Sequence, residues 1–593
     1  MNRLSAFIIL LICLWPGPAL AAPPEGVVTL AYHAAHLAPG GAPGGVPSIP
    51  LTELTDHFDW LKHNGYRVVG LDEVLEARSG GRPLPPKAVL LTFDVAHLSF
   101  YRAVYPLLRS YNYKAVLAVE TGLLEGPAGG VALYGDEGRL PRSQFLTWGQ
   151  LREMTASGLV EAASFSHRLH RGQPGNPQGL RQPAGAGRAY DADSGTYESA
   201  AEYRRRIRAD WARSAAIIAR RTGRRPRLAV WPYGLPTGAG AEAALEAGFS
   251  LTASRDVYSE GATLPRLMVA PGLNFPEAVA AAEAGLRPGH SGYSRLNLNA
   301  EYPAPFAPPL PLQRVMHVDV DALYDPDLLE QEENISALFD RALALKASAV
   351  YLRAYADEDG DGRAEALYFP GRHLPMRADL FNYLAWQLSR RVGAEVYAVM
   401  PLDFDWPGDG ETPLPDHRRR TLETYEDLTA HALIDGIVFQ DGPENPRTPI
   451  DFSLELLRAA ERWSKKLKTA RALDLSNIDD VEGRARLEED VNAYLAAYDY
   501  VVVLAPLHQS RKNLEKAAKL VGKIPFAERR VVFEFQADGE PGAGRELAER
   551  MRFLRRLGLG HYGYFPENSA AGEPELRALS PVFSLQDTPS AVE

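Results

Sequence analysis

The stretch AVLLTFD, residues 88–94, decides the architecture of the first half of the chain, because it is a short apolar run that ends on a carboxylate. Similar runs recur nearby, and segments with helical apolar spacing, such as 52–64 and 200–222, lie between them. This alternation is typical of a parallel sheet with helical crossovers, in which polar residues that follow the strands gather at one edge. The predicted strands are 27–32, 88–93, 114–119, 159–164 and 228–231.

The second half alternates in the same way, with helical patterns such as 334–345, 378–392 and 545–557 between apolar runs. Eight alternations over this length predict a (β/α)8 barrel, whose chemistry collects just past the strands. The predicted strands are 314–320, 349–353, 395–400, 436–440, 468–473, 500–505, 530–536 and 561–565. The candidate residues past them are Asp319, Asp321, Arg353, Asp403, Asp441, His508, Glu534 and Tyr564.

One boundary separates the two halves. The Pro-rich segment YPAPFAPPLP, 302–311, cannot continue a helix or a central strand. We therefore predict a signal peptide at 1–21, a first domain at 22–300, a linker at 301–313 and a barrel domain at 314–593. Within the first domain, the Gly-, Pro- and Ala-rich segment 171–199 is long for a connection, which favours a lid or binding loop.

The N-terminus predicts the compartment. Arg3 precedes an apolar run at 6–15, and the small residues at 19–21 provide a cleavage site after Ala21. The run is too short to span a membrane, so we expect a protein secreted across the inner membrane into the periplasm. Cys13, the single cysteine, lies inside this signal, and the bulky Ile12 before it disfavours lipid attachment.

Composition excludes one class of partner. With 46% hydrophobic and 23% charged residues the chain is typical of a soluble globular protein. Its 64 basic and 75 acidic residues give a net charge of −11, which argues against nucleic acid and favours a neutral or cationic partner.

Two motifs in the first domain carry a resemblance. LTFDVAH, 91–97, resembles the Phe-Asp-Asp-Gly motif of the family-4 carbohydrate esterases, and SFSHRLH, 164–170, resembles their Ser-His-x-x-x-x-His motif. With AYH (31–33), SFY (99–101), YPLL (105–108), GNPQG (175–179) and WPYG (231–234), the domain is similar to the periplasmic poly-β-1,6-N-acetylglucosamine N-deacetylases, the PgaB/HmsF-like family. The resemblance implies a distorted parallel (β/α) barrel of the polysaccharide deacetylase type.

The resemblance also implies roles and losses. Asp94 matches the general base, His33 a catalytic histidine and His170 one ligand of a divalent metal, whereas Val95 and Phe165 stand at the other two ligand positions. One remaining ligand cannot hold a divalent ion at useful affinity. We therefore expect no bound metal cofactor and no deacetylase activity, with the first domain kept as a binding or scaffolding surface.

Two further histidines are possible replacement ligands. His167 lies three residues from His170, where the family spacing is five, so it would approach from another direction. We interpret both His97 and His167 as surface or lid histidines.

The second half resembles the glycoside hydrolase domain of the same family, which acts on the partly deacetylated polymer. The matching motifs are VMHVDVD (315–321), YDP (324–326), ADEDGDG (356–362), FP (369–370), LPMRAD (374–379), YAVMP (397–401), DGIVFQD (435–441) and YGYFP (562–566).

The family's Phe-His-Asp-Asp after the fourth strand is FQDG, 439–442, in this chain, which leaves Asp441. Because glycoside hydrolysis generally uses two carboxylates, we expect Asp441 and Glu534 to form the hydrolytic pair. Asp319 and Asp321 are alternatives that suit orientation of the sugar. The predicted substrate-binding residues are Asp319, Asp321, Arg353, Asp403, Trp406, Tyr564 and Tyr233.

Two features of the second half have competing interpretations. Asp357, Asp359 and Asp361 begin like a calcium loop, but Tyr368 holds the position of the bidentate Glu, which favours an acidic loop without calcium. The aromatic residues at the strand ends suit either stacking on sugar faces or ordinary core packing. They are Tyr351, Tyr355, Trp406 and Tyr564.

The resemblance implies a secreted two-domain protein that processes a β-1,6-linked N-acetylglucosamine biofilm exopolysaccharide by hydrolysing partly deacetylated chains. Its expected partners are that polymer and an outer-membrane export porin. Two alternatives stay open: a non-catalytic polymer-binding or export protein, and a deacetylase with an unusual metal site.

Overall fold

In the computed structural model of this chain, Ala88–Phe93 is a strand with all six residues buried. The structure describes residues 26–36, 46–127, 129–135, 138–177, 181–234, 237–254, 262–285, 312–357, 359–404, 406, 414–442, 448–464, 467–475, 478, 480–525, 527–537 and 542–583. The predicted signal peptide, with Cys13, and the Pro-rich segment 302–311 lie outside the described residues. Among the helices within those ranges, none has the length and apolar character needed to cross a bilayer.

Seven parallel strands close the first barrel. Its first strand, Val28–Tyr32, pairs with both Ala88–Phe93 and Thr263–Met268, which completes the ring. The fourth and fifth strands meet through one register pair, Ser164 with Ala229, so the ring is distorted there. The distorted parallel barrel is therefore confirmed. In chain order the strands are Val28–Tyr32, Ala88–Phe93, Ala115–Val119, Val160–Ser164, Leu228–Val230, Leu251–Ser254 and Thr263–Met268.

Two strands of this ring have no counterpart in the sequence prediction. Leu251–Ser254 is built mostly of small residues, and Thr263–Met268 contains Pro265 between two neighbouring strands. Proline lacks a ladder donor and argues against a central strand. Burial in the ring has overridden both local signals.

The second barrel is closed and eight-stranded, as predicted from the alternation. Its strands are Arg314–Val318, Ala349–Arg353, Glu395–Pro401, Gly436–Gln440, Lys468–Asp474, Tyr500–Pro506, Val531–Gln536 and Tyr562–Glu567. Alternate residues fill the interior with one apolar cluster, which includes Val438, Ala470, Ala472 and Val502. The other face of each strand packs against the surrounding helices.

Helices cover both rings. Around the first barrel they are Leu51–His63, Leu71–Arg78, Tyr105–Tyr111, Thr121–Leu124, Trp148–Ala156, Ala200–Thr222, Gly238–Glu246 and Phe275–Gly285. Around the second they are Leu328–Leu345, Phe381–Gln387, Leu414–His431, Ile450–Ala460, Val481–Ala497, Arg511–Val521, Ala543–Arg556 and Leu576–Phe583. The short 3-10 and π segments are Phe100–Val104, Arg142–Gln144, Pro232–Gly234, Val320–Ala322, Leu388–Val392 and Ala527–Arg529.

Short strands outside the rings form small pairs, and one, Arg67–Val68, adds to the second strand of the first barrel. The pairs are Ala34–His36 with Ser48–Pro50, Val131–Tyr134 with Gly138–Pro141, Gly172–Pro174 with Arg181–Pro183, Tyr190–Asp191 with Thr196–Tyr197, and Tyr355–Ala356 with Ala366–Leu367.

The segment 171–199, expected to be a lid or binding loop, joins the two barrels. Asn176 Nδ2 donates to the backbone oxygen of Asp379 at 2.8 Å, and the Tyr197 hydroxyl donates to the Asp379 carboxylate. Arg188 Nη1 lies 3.4 Å from Nε2 of His431. Two hairpins of the first domain thus hold it against the second barrel.

Candidate active sites in the two barrels

The strand ends of the first barrel surround a cavity of about 750 Å³, within the range of small-molecule sites. The second barrel also lines this cavity. Its helix Phe381–Gln387 and the segment after it contribute Trp386, Gln387 and Arg391. The first domain contributes His33, Asp94, Tyr134, Phe165, His170, Arg181, Trp231, Tyr233, Arg266 and others. His33, Asp94, His170 and Tyr233 therefore share one cavity.

Apolar side chains occupy the two lost ligand positions. Val95 and Phe165 are 0% and 2% exposed and belong to the same buried apolar cluster. Val95 nevertheless has φ = 75°, a left-handed conformation that Asp and Asn tolerate and β-branched residues rarely adopt. The backbone thus keeps a shape suited to aspartate although the side chain is now hydrophobic.

The candidate base is engaged by an arginine. Asp94 Oδ1 accepts a hydrogen bond from Arg266 Nη1 at 2.7 Å, and both side chains are almost completely buried. Arg266 comes from the seventh strand, which the sequence prediction did not contain, so this pair could not be foreseen.

A second carboxylate, Glu120, stands beside His170 and was missed by the sequence analysis. It follows the third strand, and its Oε2 lies 3.1 Å from Nδ1 of His170. Burial raises the pKa of Glu120, and the contact with His170 opposes that rise. Its position directly after a buried strand could have identified it as a candidate site residue, but it belongs to no recognised motif.

The other two histidines are buried, so their interpretation as surface or lid residues was wrong. His97 and His167 are 5% and 3% exposed, and neither lines the cavity described above. Nδ1 of His167 lies 2.9 Å from the Thr121 hydroxyl, and burial lowers the pKa of His167 to about 4.

The donor set of the cavity does not fit a divalent metal. Two of the family's three positions are apolar, and the remaining His170 faces Glu120. Among the described residues, three or more carboxylate, imidazole or thiol groups converge within 4.8 Å only at the loop with Asp357, far along the sequence. No reaction step in this barrel can be derived through a metal.

In the second barrel, Arg353 at the end of the second strand forms ion pairs with two carboxylates. Its Nη1 lies 2.9 Å from Asp319 Oδ2 and 3.3 Å from Asp357 Oδ2. Asp321 accepts from the backbone N–H of Asp357 at 2.8 Å and from the Tyr368 hydroxyl at 2.5 Å. Burial and the charge of Asp321 raise the pKa of Asp319, whereas Arg353 lowers it.

Asp441 follows the fourth strand, as predicted, and pairs with a fully buried arginine. Its Oδ1 accepts from Arg471 Nη2 at 2.6 Å and from the backbone N–H of Thr448 at 3.0 Å. Arg471 pairs in register with Phe439 on the helix-facing side of the strands. Because side chains alternate along a strand, Gln440, the last residue of the fourth strand, faces the interior, and Asp441 follows it directly.

Glu534 was expected just past the seventh strand, and this placement is wrong. It lies within Val531–Gln536 and is 0% exposed. Its Oε1 is 3.0 Å from Nδ1 of His317 on the first strand. The predicted end of the strand, at 536, was correct, but Glu534 lies within it and not past it. Glu534 supports His317 from inside the barrel, where it is fully buried.

The aromatic residues proposed to stack on sugars are core residues. Tyr351, Tyr355, Trp406 and Tyr564 are each at most 1% exposed, because neighbouring rings pack over them, as Phe404 does over Trp406. Phe565 is only partly buried and its ring lies 4.6 Å from that of His317, so it is an accessible aromatic residue that the sequence analysis missed.

The remaining predicted residues are more open. The Asp403 carboxylate is 41% exposed and lies 3.4 Å from His417 Nε2, and His508 is exposed beyond the sixth strand. Ligand oxygens of Asp357, Asp359, Asp361 and Glu365 converge within 4.8 Å. Nothing else at that loop identifies a ligand, and Tyr368, at the position of the calcium-loop Glu, is buried.

Two different family models match the two halves of the chain. A polysaccharide deacetylase family model matches residues 81–252, and the model described as "Hypothetical glycosyl hydrolase family 13" matches 317–414 and 444–565. The poly-β-1,6-N-acetyl-D-glucosamine N-deacetylase of Escherichia coli strain K12 is 30% identical, with 95% of this chain and 92% of that protein covered. This chain belongs to the poly-β-1,6-N-acetyl-D-glucosamine N-deacetylase family.

Two solved structures similar to this chain each cover less than half of it. The glycoside hydrolase domain of PgaB (BpsB) from Bordetella bronchiseptica is 32% identical, covers 46% of this chain and all of that one, and gives a TM-score of 0.42. The de-N-acetylase from Aggregatibacter actinomycetemcomitans is 34% identical, covers 43% and 99%, and gives 0.40.

Proposed function

We propose that this protein hydrolyses partly deacetylated β-1,6-linked N-acetylglucosamine chains in the second barrel and does not deacetylate them in the first. The observation that carries the proposal is the contrast between the barrels. Val95 and Phe165 form part of an apolar cluster at the former metal positions, whereas arginine-paired carboxylates remain past the strands of the second barrel.

Loss of deacetylation follows from the chemistry of the family. Deacetylases of this family are metal-dependent, and a bound metal lowers the pKa of its water from 15.7 to about 7. The first barrel offers Asp94 as a base, but Arg266 occupies it. Without a metal cofactor, the barrel keeps a cavity that serves to bind polymer.

In the second barrel we assign the hydrolytic roles to Asp441 and Asp319. The Arg471 guanidinium pairs with Asp441, which suits the ionised member of a glycosidase pair. Asp319 also pairs with Arg353, but burial and the charge of Asp321 raise its pKa against that contact, which suits the proton donor. Glu534, expected as the partner of Asp441, is a positioning residue that acts through His317.

The partner and compartment are part of the same proposal. The substrate is the partly deacetylated polymer, whose free amines carry positive charge and suit a protein of net charge −11. The protein works in the periplasm after loss of its signal peptide and passes polymer to an outer-membrane export porin. The names of its relatives support the polymer as substrate.

The relatives' name also favours a second candidate, a deacetylase with an unusual site built from Asp94, His33 and His170. One experiment separates the two. The full-length mature protein is incubated with partly deacetylated polymer, with and without zinc, nickel or cobalt, and both chain length and released acetate are measured. We expect shorter chains and no acetate. Metal-dependent acetate release would overturn the proposal, and unchanged chains without acetate would favour a binding protein.

A further inference from the structure

Asp474 ends the fifth strand of the second barrel on its inner face. Ala470 and Ala472 belong to the interior cluster, and side chains alternate along a strand, so Asp474 faces the same way. It pairs in register with Leu504, which packs against that cluster. The residue as a whole is exposed, although the surrounding groups remove part of the solvation of its carboxylate, so the side chain lies at the mouth of the barrel.

Asp474 differs from four other acids near the strand ends, each of which contacts a basic side chain. Asp319 has Arg353, Asp441 has Arg471, Glu534 has His317 and Asp403 has His417. In the part of the chain that the structure describes, Asp474 has neither an ion pair nor a hydrogen-bond partner.

The surroundings of Asp474 favour a cation. Partial burial of the carboxylate and the nearby charge of Asp441 both raise the pKa of Asp474. A positive group placed against it would relieve both effects, because it would offset the lost solvation and the repulsion between the two acids. The site therefore gains free energy from a bound cation, which none of the described residues provides in contact with Asp474.

We propose that Asp474 is a specificity-determining residue that binds the ammonium group of a free glucosamine unit. This inference rests on the proposed function, because it assumes that the polymer lies across the mouth of the second barrel. An ammonium is the cation that distinguishes a deacetylated unit from its neutral acetylated neighbour.

The register of the strands gives the site its dimensions. Leu504 pairs with both Asp474 and Glu534, so it separates them at one level of the barrel. With strands about 4.8 Å apart, the two acidic positions are about 10 Å from each other. Leu504, only partly buried, provides an apolar floor between them.

Affinity measurements test the role of Asp474 independently of catalysis. In the full-length protein carrying Asp441→Asn, affinities are measured by calorimetry at low salt for β-1,6-linked oligomers with free amines and for fully N-acetylated oligomers. Adding Asp474→Asn should weaken the amine-bearing oligomers about tenfold and leave the acetylated ones unchanged. Glu482→Gln, which removes an exposed negative charge from the next helix, should change neither affinity.

Kinetics then separates recognition from chemistry. With the rest of the chain unchanged, Asp474→Asn should raise KM for partly deacetylated polymer and leave kcat close to the parent value. A fall in kcat at constant KM, or an equal loss of affinity for both oligomers, would overturn the inference, as would a parent without preference for free amines. If the parent prefers free amines through Asp474 but never cleaves, the proposed hydrolysis fails and this inference stands.

Discussion

Oε2 of Glu120 lies 3.1 Å from Nδ1 of His170, the one metal-ligand histidine that the first barrel retains. The rings of Tyr134, Phe165 and Tyr233 surround the same imidazole with centroids 4.9 to 5.2 Å away. The histidine is thus held by a carboxylate and aromatic rings instead of by a metal with two partner ligands.

Restoring both lost ligands should restore metal binding. Val95→Asp together with Phe165→His supplies the two missing donors next to His170, and Val95 already has the left-handed φ of 75° that aspartate tolerates. We expect about one zinc ion per chain by elemental analysis and a rise in Tm when zinc is added. Phe165→His alone is the control and should bind no stoichiometric zinc. A double variant that folds but takes up no metal would refute this account of the site.

The barrel folds were predictable because they depend on repeated local patterns. All eight strands of the second barrel were found, since each is an apolar run bounded by turns and helices. Leu251–Ser254 and Thr263–Met268 were not, because small residues and Pro265 hide strands that only the closed ring stabilises.

The site was less predictable because its chemistry depends on burial and on pairs distant in sequence. Arg266 reaches Asp94 from 172 positions away and His317 reaches Glu534 from 217. A motif can show that Trp406 or Glu534 stands near a strand end, but not that neighbouring groups cover it. The replacement of two metal ligands by Val95 and Phe165 was predictable, because it changes residues within recognisable sequence motifs.

Arg266 should be essential for the stability of the first barrel. Arg266→Met leaves the Asp94 carboxylate buried without its partner, which costs about 3–5 kcal/mol in typical buried pairs. Denaturant unfolding should show this loss. Asp94→Asn combined with Arg266→Met removes both charges and should recover much of it. Equal stability of Arg266→Met and the parent would show that the pair contributes little.

The free energy of unfolding of the protein should fall as pH rises from about 4 to about 7. Burial raises the pKa of Asp379 to about 7, against about 3.9 in an unfolded chain. The folded protein therefore binds a proton that the unfolded chain has already lost, and stability falls with increasing pH in this window. Asp379→Asn should flatten the fall in Tm and raise Tm at pH 8. The exposed Asp193→Asn is the matched control and should follow the parent curve. An unchanged slope in Asp379→Asn would contradict this interpretation.

The mature protein should begin at Ala22. Cleavage after Ala21 removes the apolar run and Cys13 together, so intact-mass and N-terminal peptide measurements on protein isolated from the periplasm should find no lipid. A diacylated peptide that starts at Cys13 would overturn the predicted processing.

The most direct test of the central claim is the chain length of partly deacetylated polymer after incubation with the full-length mature protein and its Asp441→Asn variant. We predict that the parent shortens the chains and that Asp441→Asn, which removes the charge held by Arg471, lowers the rate about a hundredfold or more with polymer binding retained. Asp451→Asn, on the helix that follows, should cleave like the parent. Cleavage by Asp441→Asn at the parent rate, or no cleavage by the parent, would contradict the assignment of hydrolysis to the second barrel.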